Sequence, residues 1–360
     1  FKNCELINTK FRDARKNFKL ISGAELIWFN YDCIQKCIEQ KGELVIVEGE
    51  FDALSIIQSG HDFVVSVPNG ANIGKMEYFD SSFELLNKVE TFILAVDNDL
   101  KGIELKNELI RRLGFEKCKI ANFKEFKDAN EYLVNKDAES LLNELKNAKI
   151  LKAKDVYEVA DFENELDAYF ENGLPQGKTI DIPELDEKIR WITGHYATVT
   201  GSPASGKSEF IDFVCARLNL LHQWKIGYYS PESAPLAVHF SKVFSKFSGF
   251  KFGKKYNHSE SDRYSVQDYI NENYFWVNPV DDIKLDDILA KFEYLVRAKG
   301  VKVFVIDPFN RIETDQDYLH DKLLYIKKTL KKIISFVKKN DCLLFLIAHP
   351  TKLQKTKESK

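Results

Sequence analysis

Residues 196–222 read YATVTGSPASGKSEFIDFVCARLNLLH. The short run YATVT has the look of a buried strand, and FIDFVCARLNLL repeats its apolar residues at helical spacing, so residues 201–208, GSPASGKS, join a strand to a helix. That octet fits G-x-x-x-x-G-K-[ST] at every fixed position. In such a loop the backbone from Gly201 through Ser202, Pro203, Ala204, Ser205 and Gly206 wraps the phosphates. Lys207 reaches the β/γ oxygens and the Ser208 hydroxyl coordinates Mg²⁺. The expected ligand is ATP or another nucleoside triphosphate, with Mg²⁺.

Working outward, 360 residues suit two domains rather than one. A hydrophobic content of 44% with 30% charged residues is ordinary for a globular protein, and no apolar run reaches the ~20 residues of a membrane span. The net charge of −3 does not decide about nucleic acid, because 52 basic residues can still form local patches. The six cysteines are scattered without a C-x-x-C pair, which predicts free thiols; Cys33 and Cys37 share a helix face but have no second pair of ligands. The chain begins at Phe1 and carries no secretory or transit segment, so an upstream part is expected to be missing and the expected location is the cytoplasm.

Strands alternate with amphipathic stretches through the first half: ELVIV, FVVSV and FILAV are separated by DALSIIQSG and followed by GIELKNELIRRLG. That alternation predicts a parallel sheet. Residues 151–178 lose the rhythm and read as a linker helix with a turn-rich loop, placing the domains at 1–150 and 179–360. The second half resumes with YATVT, KIGYYS, YFWVN, VKVFVID and CLLFLIAH, the order of a RecA-type ATPase core.

Two strand ends in the first half carry acids, VEGEFDALS and LAVDNDLKG. Open α/β sheets build their sites at the carboxyl ends of strands. Glu48, Asp97 and Asp99 would offer hard oxygens to Mg²⁺ or Mn²⁺, with Glu50 and Asp52 outside them. Singly, Asp52 and Asp99 also read as helix caps.

E-G-x-x-D-A-L followed by D-x-D-x-x-G resembles the TOPRIM fold of topoisomerases and DnaG-type primases, with Glu48, Asp97, Asp99 and Gly102 at the motif positions. TKFRDARKNFKLISGAELIWFN, VSVPNGA and KDANEYL extend the likeness, and a TOPRIM domain ahead of a RecA-like core resembles the bifunctional primase-helicases of phages and of the mitochondrial Twinkle type. The resemblance implies a basic wall for template or nucleotide phosphates at Lys10, Arg12, Lys16 and Lys19. Asp128 and Asn130 read as a helix cap and a structural contact, outside the site.

In the second half the resemblance is to hexameric DnaB-type motors. It gives Glu232 the water-activating role, Asp307 the Walker B role of holding Mg²⁺ through Ser208, and His349 the role of γ-phosphate sensor. The helix from Lys322 to Lys339 is expected to bury Leu323, Leu324, Ile326, Leu330, Ile333, Ile334 and Val337 and to solvate its lysines. The chain stops at Lys360, soon after His349, so the arginine finger and later strands of the family are missing and the core is C-terminally truncated.

The expectation is therefore a fragment of a replicative primase-helicase, acting on single-stranded or forked DNA and assembling as a homo-oligomer, a hexameric ring in the complete protein. It would work in a bacterial or phage-infected cell ahead of the mitochondrial matrix. A TOPRIM nuclease coupled to an ATPase, and a ring-forming DNA-binding scaffold with an inactive primase half, use the same residues.

Overall fold

The structure, a computed structural model, describes residues 2, 5–12, 18–150, 159–202, 204–233, 235–256, 259–279, 283–312 and 322–349. Lys16, Pro203, the opening part (151–158) of the stretch 151–178 read as a linker, and everything after His349 lie outside the described residues. The chain divides into two compact units, Phe1–Pro175 and Gln176–Lys360.

The first unit opens with a small antiparallel ladder of β1 (Lys10–Arg12) and β2 (Phe18–Leu20). There follow α1 (Cys33–Glu39), β3 (Glu43–Val47), α2 (Glu50–Gln58), β4 (Val64–Ser66) and α3 (Glu77–Leu86). Next come β5 (Thr91–Leu94), α4 (Leu100–Leu113), β6 (Cys118–Ile120), α5 (Ala129–Asn135), α6 (Ala138–Lys146), β7 (Lys149–Ile150) and α7 (Glu163–Asn172). The sheet order is β4-β3-β5-β6-β7, parallel except for β7.

Strand residues alternate between two cores: Leu44, Ile46, Phe92 and Leu94 pack on one face, Val45, Val47 and Ile93 on the other. Burial on both faces explains why these strands are continuously apolar. The chain leaves β3 toward β4 on one side and returns to β5 on the other. That reversal leaves a crevice at the carboxyl ends of β3 and β5, where such sheets bind ligands.

The second unit contains α8 (Pro183–Asp186), β8 (Tyr196–Thr200), α9 (Lys207–His222), β9 (Ile226–Tyr229), α10 (Leu236–Ser248) and α11 (Glu260–Asn273). It continues through β10 (Tyr274–Val277), α12 (Leu285–Lys299), β11 (Val303–Ile306), α13 (Lys322–Lys339) and β12 (Leu343–Ala348). All pairings in its sheet are parallel, in the order β10-β9-β11-β12-β8. Strand β12 thus lies between β8, which feeds the phosphate loop, and β11, which is followed by Asp307.

Helix α13 departs from the expected face. It buries Thr329, Ile333, Phe336 and Val337, while Leu323, Leu324, Ile326 and Ile334 are exposed. The covered stripe is narrower than the apolar pattern predicts, running from Thr329 to Val337 where α13 lies against β8 and β12.

Candidate functional site

The phosphate loop is built by backbone conformation before any side chain acts. Gly206 caps α9 in the left-handed region (φ 84°), and Ala204 is also left-handed at φ 59°. Glycine at 206 adopts this without the penalty a Cβ would bring. Helix α9 starts at Lys207, so its N-terminal N–H groups face the loop, the geometry that favours anions. The Lys207 ammonium lies across the loop and donates to the carbonyls of Gly201 and Ser202, both at 2.9 Å. Ser205 is exposed, and Pro203 is outside the described residues.

Three further residues come to the same sheet edge. Ser208 Oγ donates to Asp307 Oδ2 at 2.6 Å, although the two are far apart in the chain. Burial pushes the Asp307 carboxyl above its ordinary range, and the Ser208 hydrogen bond pulls it back. His349 follows β12, between them, and its Nδ1 is buried without a hydrogen-bond partner among the described residues. Glu232 follows β9 and accepts from Arg311 Nε at 2.8 Å. Side by side along the edge, the strand ends therefore present the phosphate loop, His349, Asp307 and Glu232 in that order. A hydroxyl, a carboxylate and a lysine so placed fit a Mg²⁺-nucleotide: they supply hard oxygens and a cation.

Behind the loop α9 is locked to its neighbours. Asp212 Oδ1 accepts from Tyr228 Oη at 3.0 Å and lies 3.3 Å from His239 Nε2, while Trp276 Nε1 donates to His239 Nδ1 at 3.1 Å. Because Nδ1 accepts, Nε2 carries the proton and points it at Asp212. This buried chain ties α9, β9, α10 and β10 together, and nothing in the sequence pattern signals it.

In the first unit Glu48 follows β3 and Asp97 follows β5, at neighbouring strand ends. Glu48 Oε2 is buried with no hydrogen-bond partner among the described residues. Burial, then the charges of Asp97 and Asp99, push its carboxyl up to about 7. Asp97 is also raised, by burial, against the pull of Lys127, whose Nζ lies 2.9 Å from Asp97 Oδ2.

The acids that come closest are not the expected trio. Among the described residues, Asp52, Asp97 and Asp128 bring one carboxylate oxygen each to within 4.8 Å of one another. Asp52 is buried, and its carboxyl is raised to about 7, first by burial and then by the charge of Asp128. Its Oδ1 accepts from the Asn130 N–H at 3.0 Å, which draws the KDANEYL segment onto α2. Asp128 does cap α5, accepting from Glu131 N at 2.7 Å, as expected; its place beside Asp52 and Asp97 was missed. The signal available was the K-D-A-N run itself, since a cap uses only one of two carboxylate oxygens.

Asp99 is turned differently from the expectation of a shared cation. Its Oδ1 caps α4 by accepting from Gly102 N at 3.0 Å, and its Oδ2 lies 3.5 Å from Lys127 Nζ. Gly102 is required there by space: a Cβ would sit 2.0 Å from the Asp97 carbonyl oxygen. Glu50, expected near the cation, pairs instead with Lys10 at 2.7 Å, which also takes that lysine out of an open basic wall. Lys19 is exposed; the Arg12 side chain and Lys16 lie outside the described residues. An all-carboxylate donor set with a partnerless buried oxygen suits a hard divalent cation.

The Toprim-like family model matches residues 45–133, the segment that contains Glu48, Asp52, Asp97, Asp99 and Asp128. The first unit carries a Toprim domain. Over 97% of its length the chain is 28% identical to the "Twinkle homolog protein, chloroplastic/mitochondrial" of Arabidopsis thaliana, covering 53% of that protein. It is 32% identical to the Arabidopsis thaliana "Primase homolog protein", over 40% of this chain and 48% of that one. The chain spans about half the length of these curated relatives. The crystal structure of the primase fragment of the bacteriophage T7 primase-helicase protein is 26% identical, covers 39% of this chain and 57% of its own, and superposes with a TM-score of 0.32.

Proposed function

We propose that this chain is the Toprim and ATPase portion of a replicative helicase-primase, with nucleotide hydrolysis in the second unit and primer synthesis in the first. One observation carries the reading: the same chain holds a Toprim acid cluster at one sheet edge and a phosphate loop, His349, Asp307 and Glu232 at another. The likeness to the Twinkle homolog along almost the whole chain supports it.

In the second unit Lys207 and the loop backbone bind the β/γ phosphates, and Ser208 with Asp307 would hold Mg²⁺, which neutralises phosphate charge when bound. Glu232 orients the attacking water and takes its proton, and His349 senses the γ-phosphate. In the first unit Asp97 with Asp52, Asp128 and Glu48 would hold Mg²⁺ or Mn²⁺; Asp99 keeps α4 and Lys127 in place around them. Bound there, such ions stabilise triphosphate charge and activate a 3′ hydroxyl. The partners are single-stranded or forked DNA, nucleoside triphosphates and further copies of the chain in a hexameric ring. The compartment proposed is the cytoplasm of a bacterial or phage-infected cell. No described helix is long and apolar enough to cross a membrane.

The experiment is Asp97→Ala with Asp99→Ala in the complete protein, read on two assays. Primer synthesis should disappear while ATP-driven unwinding persists, because the two sites lie in separate units. Normal priming by the double variant would make the acids structural. A wild type that unwinds but never primes would favour the scaffold reading of the first unit.

A further inference from the structure

Strands β9 and β11 are direct neighbours, and the residues just past them are held to each other. The Asp307 N–H donates to the Tyr229 carbonyl at 2.9 Å, and the buried Tyr229 hydroxyl donates to the Arg311 carbonyl at 3.3 Å. The Arg311 main chain is fixed a second time, its N–H donating to the Pro308 carbonyl at 3.2 Å. From this anchored backbone the guanidinium reaches across to Glu232, Nε to Oε1 at 2.8 Å. Glu232 in turn lies close enough to Asp307 for its charge to be felt there, and Asp307 holds Ser208. A cation that nothing in the phosphate-loop motif accounts for thus stands at the same pair of strand ends as Glu232 and Asp307.

We propose that Arg311 is a γ-phosphate ligand that exchanges its contact with Glu232 for the γ-phosphate when a triphosphate binds. This rests on reading residues 201–208 as the nucleotide site and Glu232 as the base. A carboxylate engaged by a guanidinium has one oxygen fewer to offer to water. A terminal phosphate presents more negative charge and more oxygens in the fork geometry that arginine matches, so it draws the guanidinium away from the Glu232 carboxylate. A diphosphate ends short of the guanidinium and leaves the pair intact. Only with triphosphate present is Glu232 released to act: the water oxygen bonds to the γ-phosphorus, the bridging P–O bond breaks with its electron pair leaving on the β-phosphate, and the water proton passes to Glu232. The base is thereby free only when there is something to hydrolyse. Arg311 sits in the VIDPFNRIE segment four residues after Asp307, and its distance in sequence from Glu232 hides the pairing.

The test uses this chain with Mg²⁺ and two fluorescent probes, a non-hydrolysable ATP analogue and ADP, titrated into wild type, Arg311→Ala, Arg311→Lys and Lys207→Ala. Arg311 is exposed, so its replacement leaves the fold intact, and unchanged ADP binding serves as the internal check. Arg311→Ala is expected to weaken the ATP analogue about tenfold and ADP by less than about twofold, the loss of one charge-assisted contact. Arg311→Lys should fall between, keeping charge and losing the fork. An unchanged ratio of analogue to ADP affinity in Arg311→Ala, with both probes weakened in Lys207→Ala, overturns the proposal while leaving the nucleotide site standing. If Lys207→Ala binds both probes as wild type does, the nucleotide site fails and the proposal falls with it.

Discussion

Asp128→Asn separates a helix cap from a member of a cation site. Asparagine caps a helix as well as aspartate does, so the bond from Glu131 N and the start of α5 survive. What is lost is one negative charge beside Asp52 and Asp97. At 4.8 Å, the bound on separations in the cluster, two unit charges repel by about 3 kcal/mol at an effective dielectric of about 20. Water reaches the half-buried Asp128, so about 1–2 kcal/mol is the expected gain in metal-free stability near pH 8.

The sign with pH follows from Asp52. Its carboxyl is raised from 3.8 to about 7, so the folded state holds a proton that the unfolded chain has released, and metal-free stability is lost as pH rises through that window. The advantage of Asp128→Asn should accordingly grow between about pH 4 and pH 7 and be absent below it. With Mg²⁺ or Mn²⁺ the order reverses. The variant should bind the ion about tenfold more weakly and gain correspondingly less stability from it. Urea unfolding at several pH values, with chelator and with metal, reads both effects. Identical stability and metal response in wild type and variant would show that Asp128 is a cap alone.

Gly102→Ala should cost about 2–3 kcal/mol in the same unfolding assay, because its Cβ meets the Asp97 carbonyl at 2.0 Å and α4 must shift; an unaltered midpoint would refute that close approach. Lys207→Ala should weaken binding of a fluorescent ATP analogue by at least ~2 kcal/mol, and equal affinities would remove the phosphate-loop assignment. His239→Ala leaves the buried Asp212 with Tyr228 alone and strands the Trp276 N–H, for an expected loss of about 3 kcal/mol; a change below about 1 kcal/mol would mean that water replaces the imidazole.

Residues 201–208 were legible because a phosphate loop is local: its glycines, lysine and serine act through backbone that they themselves shape. Glu48, Asp97, Asp307, Glu232 and His349 were legible for a related reason. Glu48, Asp307 and His349 directly follow a buried strand, Asp97 and Glu232 lie a short step past one, and strand ends are where parallel sheets place chemistry. The approach of Asp128 and Asp52 to Asp97 could not be read in this way, because it depends on α5 packing against α2, a contact between residues far apart in the chain that a cap signal does not report. The same holds for Arg311 on Glu232 and for His239 between Asp212 and Trp276. Local pattern determined which strands and helices form and which ends carry acids. Strand order determined which ends become neighbours, because inserting β12 between β8 and β11, and setting β3 beside β5, is settled by how two apolar faces are covered rather than by any residue's own preference.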